Sequence, residues 1–192
     1  MQKISLFILI NVLSFGIIGC KSDNKGTKHF ENFSIDKTLI NNDTIQLLSK
    51  YPELKLFNSE KLETKTRTAY IVQKASYTDF SKRTFTFDDY KCKAISKQDT
   101  IEIWLNNNNG YFGNGILVKV FNKNFLIKDI DPKTLKGELK FIKNSKIKYQ
   151  KLILNTASFK KNDTIYGFID YHTDLDSLVS KKFKGYFKTV IR

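Results

Sequence analysis

Arginine, histidine, proline and cysteine are all scarce in this chain of 192 residues. The three arginines, Arg67, Arg83 and Arg192, leave almost none of the planar forks that read guanine edges and phosphates bidentately. That argues against a protein that reads nucleic-acid sequence. His29 and His172 are the only histidines, Cys92 has no evident histidine partner, and no G-x-S-x-G, H-E-x-x-H or P-loop pattern occurs. Catalysis through a familiar nucleophile or zinc motif therefore has no foothold, and a paired-carboxylate glycosidase, which needs only spatial pairing, is not selected by anything in the sequence. With 2 prolines, a Pro-rich disordered chain is excluded as well.

What the chain has is enough apolar material for a core, 41% hydrophobic and 14% aromatic, at a length that suits one ordinary domain with a short appendage. It also has charge of one sign: 33 Lys and Arg against 19 Asp and Glu give a net charge of +14. Removing residues 1–19 takes away only Lys3, so the excess belongs to the domain. An A/T-rich coding sequence would supply Lys together with Asn, Ile and Phe without any selection for binding, whereas a polyanion site would use the same field to attract its partner. Composition does not separate the two.

The one long apolar run lies at the front. Lys3 is followed by Ile4 to Ile18, interrupted by Ser5, Asn11, Ser14 and Gly16, and the run stops at Gly19-Cys20. As a helix its 15 residues would span roughly 22 Å, short of a hydrocarbon core of ~30 Å. The layout is that of a signal peptide. Ile17-Ile18-Gly19-Cys20 resembles the lipobox of bacterial lipoproteins, and the resemblance covers only these first twenty residues. It implies that the Cys20 thiol takes a diacylglycerol, that cleavage makes Cys20 the first residue, and that two or three acyl chains such as palmitate anchor the protein, since one chain holds only marginally. The expected organisation is a signal peptide over 1–19, a lipidated Cys20 with a flexible tether over 20–34, and a single β-rich domain over 35–192. With Cys20 modified, Cys92 has no partner for an internal disulfide. The tether starts Lys21-Ser22-Asp23-Asn24, without the acidic residue that favours inner-membrane retention in enteric lipoproteins, so the expected place is the outer membrane, facing the periplasm or the outside. KSDN and the chain's ending also resemble small Bacteroidota lipoproteins, to which no activity attaches. His29 reads as a solvated residue in or beside the tether.

Asp-Thr-Ile occurs three times, with different surroundings each time. Asp43 with Gln46 three residues on resembles a capping box, and Tyr51-Pro52 supplies a stop, so the first copy opens a helix. In the second, Ile101, Ile103 and Leu105 alternate with polar positions; in the third, Ile165, Ile169 and Tyr171 do so. Those copies open strands after turns. From Thr66 onward strands are expected at 66–74, 83–87, 90–95, 100–105, 115–121, 125–130, 138–142, 146–155, 163–173 and 182–191. The fold class that follows is mainly β: an antiparallel β-sandwich, or alternatively a closed barrel, with a short N-terminal helix. Val118 to Ile127 is the clearest hairpin, and the ending KKFKGYFKTVI pairs naturally with KNDTIYGFIDY as an edge or closing strand.

Three surfaces could do something. The loop 106–115, NNNNGYFGNG, carries Tyr111 and Phe112 with Trp104 nearby, and loop aromatics are common anchors for sugars and protein partners; a loop folded back on the core would use the same rings. Lys133 to Lys161 holds nine lysines against Glu138, and Lys140, Lys143, Lys146, Lys148 and Lys151 would form a basic face for acidic glycans or lipid phosphates; such a face also discourages edge pairing. Asp170, His172, Asp174 and Asp176 fall on one face of an extended chain, where they could ligate a metal or could simply be solvated; no cofactor is expected.

The reading is a lipid-anchored, non-enzymatic binding or scaffold module of the cell envelope, meeting an envelope protein or a polyanionic glycan and no sequence-specific nucleic acid. The alternatives are a carrier of a small apolar ligand in a barrel cavity, and an immunity-type inhibitor of a toxin.

Overall fold

A computed structural model describes residues 29–78, 82–108, 113–130, 145–175 and 178–192. The signal peptide, Cys20, Tyr111, Phe112, Lys140, Lys143, Asp176 and the strand expected over 138–142 lie outside the described residues.

The chain forms two sheets packed face to face. The first, in spatial order, is β1 (Glu31–Asn32), β8 (Asn124–Ile130), β7 (Gly115–Phe121), β6 (Thr100–Asn106) and β5 (Lys91–Lys97). The second is β2 (Ser34–Ile35), β9 (Ser145–Leu154), β10 (Thr164–Leu175), β11 (Val179–Val190), β3 (Ala69–Tyr77) and β4 (Thr84–Phe87). All neighbours pair antiparallel except β2 on β9. The expected β-sandwich is the fold, and the described residues do not close into a barrel.

Period-2 patterning explains why these segments are strands. In β10 each inward residue from Ile165 to Leu175 is buried and each outward one is half-exposed. Its inner row meets that of β11, where Phe183 and Phe187 are fully buried. Tyr90, Tyr171, Phe125, Phe183 and Phe187 fill the space between the sheets. The Tyr90 and Phe183 rings meet edge to face, with centroids 5.6 Å apart. Gly167 sits opposite Phe187, and a Cβ there would lie 2.1 Å from the ring's Cζ.

Tight turns set the registers. Asn122 and Lys123, with φ of 46° and 62°, close the β7–β8 hairpin between paired Phe121 and Asn124. Positive φ at both central residues is what a two-residue hairpin turn of type I′ requires. Gln98, φ 51°, does the same work before Asp99 and Thr100, which is why the second Asp-Thr-Ile opens a strand.

Three expectations are corrected. The tether does not run to Ser34: Glu31–Asn32 pairs with β8, Ser34–Ile35 pairs with β9, and Phe33 between them is buried, so the chain crosses from one sheet to the other there. The helix α1 (Asp43–Leu48) is capped by Asn42, whose side chain accepts from the Thr44 and Ile45 amides; Gln46 turns to the Ile40 carbonyl instead of closing a capping box. A 3-10 turn over Lys37–Asn41, capped by Asp36, precedes it. Finally, β11 is no edge strand. It lies between β10 and β3, and its end joins the other sheet, where Ile191 bridges Ala94 and Arg192 exchanges backbone hydrogen bonds with Ala94 and Ser96.

Candidate functional site

The outer face of the six-stranded sheet is divided in two. The 3-10 turn and α1 pack on β3, β10 and β11 and bury Leu39, Ile45 and Leu48 apart from the inter-sheet core. They lie on the outer side, because outward-facing Lys188 of β11 donates to the Ser49 hydroxyl at the end of α1. The other half of the face is open. There β9 presents Lys146, Lys148, Tyr149 and Lys151, β10 presents Asp170, His172 and Asp174, β11 presents Lys182 and Lys184, and β3 presents Lys74. A register shift between His172 and Thr173 bulges β9, so that Lys148 and Tyr149 are both exposed.

The electrostatics of this half are lopsided. Lys184 pairs with Asp170 at 3.1 Å and Lys148 with Asp174 at 3.0 Å. The hydrogen bond from Lys148 holds the Asp174 carboxyl below its ordinary range. Lys74, Lys146, Lys151 and Lys182 are exposed and have no carboxylate within ion-pair distance among the described residues. Three of the lysines expected on a basic face, Lys146, Lys148 and Lys151, are thus brought together, and they are joined by lysines from β3 and β11 that the linear sequence did not group with them. Asp170, His172 and Asp174 share one face, as their spacing required, but they do not close into one cluster: Asp170 turns to Lys184 and Asp174 to Lys148, and His172 Nε2 lies 2.9 Å from the Ser180 hydroxyl and 3.9 Å from Asp174 Oδ1. Among the described residues no group of His, Cys, Asp and Glu could hold a metal ion.

Trp104 lies elsewhere. It is half-buried on the outward face of β6, between Lys93 and Leu117 in register. The stem of the 106–115 loop is fixed by Asn107, which donates through its side chain to Asp89 at 2.8 Å, accepts from the Asn114 amide at 2.6 Å, and is itself buried. One asparagine of the NNNN run is therefore a structural clamp.

Two adjoining hollows flank the end of β11. The smaller, about 190 Å³, is lined by Glu53, Glu60, Glu63, Lys91, Lys93 and Arg192 among others. Glu53 is buried, with its Oε1 2.5 Å from Lys91 Nζ and its Oε2 accepting from the Glu63 amide at 2.7 Å and from the Thr64 amide. Lys91 also meets Glu60 at 2.7 Å, and Glu63 takes Lys93 and Arg192. Burial alone would raise Glu53 and Glu63; the hydrogen bonds from Lys91 and Thr64 to the first, and from Lys93 and Arg192 to the second, outweigh it and hold both below the ordinary value. Carboxylates do converge here, but a glycoside-cleaving pair needs one acid kept protonated, and these two are held ionised.

The larger hollow, about 450 Å³, lies beyond the Glu63–Arg192 pair and is lined by Lys65, Thr66, Thr164, Tyr166, Lys188 and Val190 as well as by residues it shares with the smaller one.

A buried polar cluster has no counterpart among the expected sites. Asp129 of β8 points inward and accepts from the Tyr171 hydroxyl of the opposite sheet at 2.8 Å. Burial raises its carboxyl, opposed by Tyr171, by the Lys181 ammonium and by the Ser145 and Thr173 hydroxyls. Lys181 in turn donates to Asn114 at 2.8 Å. The signal was present in part: Asp129 alternates with Phe125 and Ile127, so it falls at an inward position. Comparison of the chain with protein-family models, with curated proteins and with solved structures finds no match, so its function has to be argued from this geometry.

Proposed function

We propose that this chain is a lipid-anchored binding module of the cell envelope, and that the open half of the six-stranded sheet engages an extended acidic glycan. The observation that carries the reading is the set of exposed lysines on three of four consecutive strands, Lys146 and Lys151 on β9, Lys182 on β11 and Lys74 on β3, without carboxylates of their own among the described residues. Strands lie ~4.8 Å apart and same-face residues ~6.8 Å apart along a strand, so these ammoniums form a shallow grid that a polymer with regularly spaced carboxylates can lie across. Lysine suits such a polymer, because a strongly hydrated point charge on a flexible stem matches spaced anions without demanding bidentate geometry. Tyr149, 49% exposed at the bulge, adds an apolar ring on which a sugar can rest. The anchor is part of the reading through Cys20, whose lipid would hold the module at the outer membrane.

The purified protein is tested against polygalacturonate at two salt concentrations, with neutral dextran as control. Polygalacturonate is expected to bind, and to bind about tenfold more weakly at 0.5 M than at 0.05 M salt as the Debye length shrinks. Lys74→Glu/Lys182→Glu should lower the affinity by about tenfold more, since two attractions become repulsions on one face. Equal binding of dextran, or an unchanged affinity in the double variant, overturns the assignment. The anchor is tested separately: Cys20→Ala should leave an uncleaved precursor without lipid label, and normal processing of that variant would sink it.

A further inference from the structure

The 450 Å³ hollow has a chemistry of its own, which the charged sheet face does not explain. Its size is that of a small-molecule site. Its walls come from the segment Glu63–Thr68 on one side and from the paired ends of β10 and β11 on the other, where Tyr166 stands opposite Lys188 and Thr164 opposite Val190. The lining is rich in hydroxyls, from Thr66, Thr164 and Tyr166, with the Tyr166 ring and Val190 as apolar surface. Glu63 is already neutralised by Lys93 and Arg192. Lys65 and Lys188 are different: neither has a carboxylate within ion-pair distance among the described residues. Lys188 is half-buried, its ammonium donates to the neutral Ser49 hydroxyl, and burial lowers it below the ordinary lysine value. A partly desolvated cation with no anion beside it is a cost, and a bound anion would remove it.

We propose that this hollow is a binding site for one acidic sugar unit, a hexuronate whose carboxylate meets Lys188 and whose hydroxyls and ring edge meet the threonines and Tyr166. The inference rests on the acidic-glycan reading and makes it specific: the sheet face supplies long-range attraction along a polymer, and the hollow selects the sugar. A neutral sugar would leave Lys188 as it is, and a bare inorganic anion would leave most of the volume and its hydroxyls unused. An exposed lysine grid binds any polyanion; a hollow with the half-buried Lys188, several hydroxyls and one ring discriminates by shape.

Trigalacturonate and maltotriose are titrated calorimetrically into the purified protein. Trigalacturonate should bind and maltotriose should not. Lys188→Met, which keeps the stem and removes the charge, should weaken trigalacturonate by about tenfold or more, as expected for a lost charge-assisted hydrogen bond. Ser49→Ala, which removes the neighbour but keeps the ammonium, should bind as the parent does. If Lys188→Met does not fold, Tyr166→Ala carries the test with the same expected loss. Binding of trigalacturonate that is unchanged in Lys188→Met, or in Tyr166→Ala, overturns the inference, and so does equal binding of maltotriose. Failure here is distinguishable from failure of the sheet-face reading. If trigalacturonate binding is lost in Lys188→Met while polygalacturonate ignores Lys74→Glu/Lys182→Glu, the hollow stands and the face falls. If polygalacturonate responds to the face variant but trigalacturonate ignores Lys188→Met, the face stands and the hollow falls.

Discussion

Glu53→Ala is the substitution whose cost the structure defines best. The Glu53 side chain is 2% exposed and does three things: Oε1 lies 2.5 Å from Lys91, and Oε2 accepts from the Glu63 and Thr64 amides. It thereby ties the irregular segment between α1 and β3 to the edge strand β5. Removing one partner of a buried ion pair costs ~3–5 kcal/mol, and lost hydrogen bonds to a charged group ~1.5–3 kcal/mol each, but these sums overlap. Lys91 keeps Glu60 at 2.7 Å, and the neighbouring hollow admits water to the freed amides, so the expected loss is at the low end, about 3 kcal/mol. For a domain of this size that is a fall in Tm of roughly 6–12 °C. Glu60→Ala should cost less, about 1–2 kcal/mol, because it loses one hydrogen bond, from the Leu56 amide, and the longer of Lys91's two contacts, while Lys91 retains Glu53. Urea unfolding of both variants, completed by Lys91→Met in a double-mutant cycle, measures the difference and the coupling. The linkage has a definite sign as well. A carboxyl held below its ordinary value of 4.5 contributes stability that is present above that pH and is lost as the pH falls through the lowered value, so the Glu53→Ala penalty should shrink on acidification below about pH 4.5. A loss no larger than that of Glu60→Ala, or a penalty that grows as the pH falls, would refute the assignment of the clasp.

Asp129 has the opposite sign. Because burial raises its carboxyl, the folded state binds the proton more tightly and this group's contribution falls as the pH rises through the raised value. Asp129→Asn, which keeps an acceptor for Tyr171, should therefore gain stability relative to the parent between pH 4 and 7; chemical denaturation at both ends of that range measures it, and a flat difference contradicts the buried ionised carboxylate. Gly185→Ala should destabilise by about 2 kcal/mol or more, since φ is 156° and a Cβ would sit 2.0 Å from the Tyr70 carbonyl oxygen of the neighbouring strand; unfolding within ~0.5 kcal/mol of the parent would show that β3 and β11 are not so close. Cys92 is buried and its thiol is pushed up by burial, so it should resist alkylation in the folded protein and react within minutes in denaturant. Rapid labelling of the native protein would show that β5 is exposed.

Strands and turns were legible in the sequence because their causes are local. Alternation of Ile165, Ile169 and Tyr171 with polar neighbours forces an extended, half-buried segment, and Asn122-Lys123 can adopt the positive φ a tight hairpin needs. The helix was legible for the same reason, although its cap was displaced by one residue because Asn42 and Asp43 can both accept the first amides. The expected strands from β5 to β10 differ from the observed ones by two residues at most at either end, apart from the one that lies outside the described residues. What eluded the sequence was pairing between distant segments. Phe33 looked like the end of a tether until β1 and β2 were seen to cross between sheets around it. The chain's ending was expected as an edge or closing strand beside β10; it does pair with β10, but β3, more than one hundred residues earlier, takes its other side.

The sequence by itself determined that the chain is mainly β, that its charge is lysine, and that no motif for metal or nucleophilic catalysis stands on it. Period, turn chemistry and composition are properties of neighbours along the chain, and a reader of the chain sees all of them. Only the tertiary structure decided which lysines share a face, that Asp170 and Asp174 pair with Lys184 and Lys148, and that Lys188 is half-buried with no carboxylate beside it among the described residues. Those are questions of which strand lies beside which. The answer depends on packing that sums over the whole core, with Phe183, Phe187 and Tyr171 drawing β10 and β11 together and so setting the places of the charges on the other side.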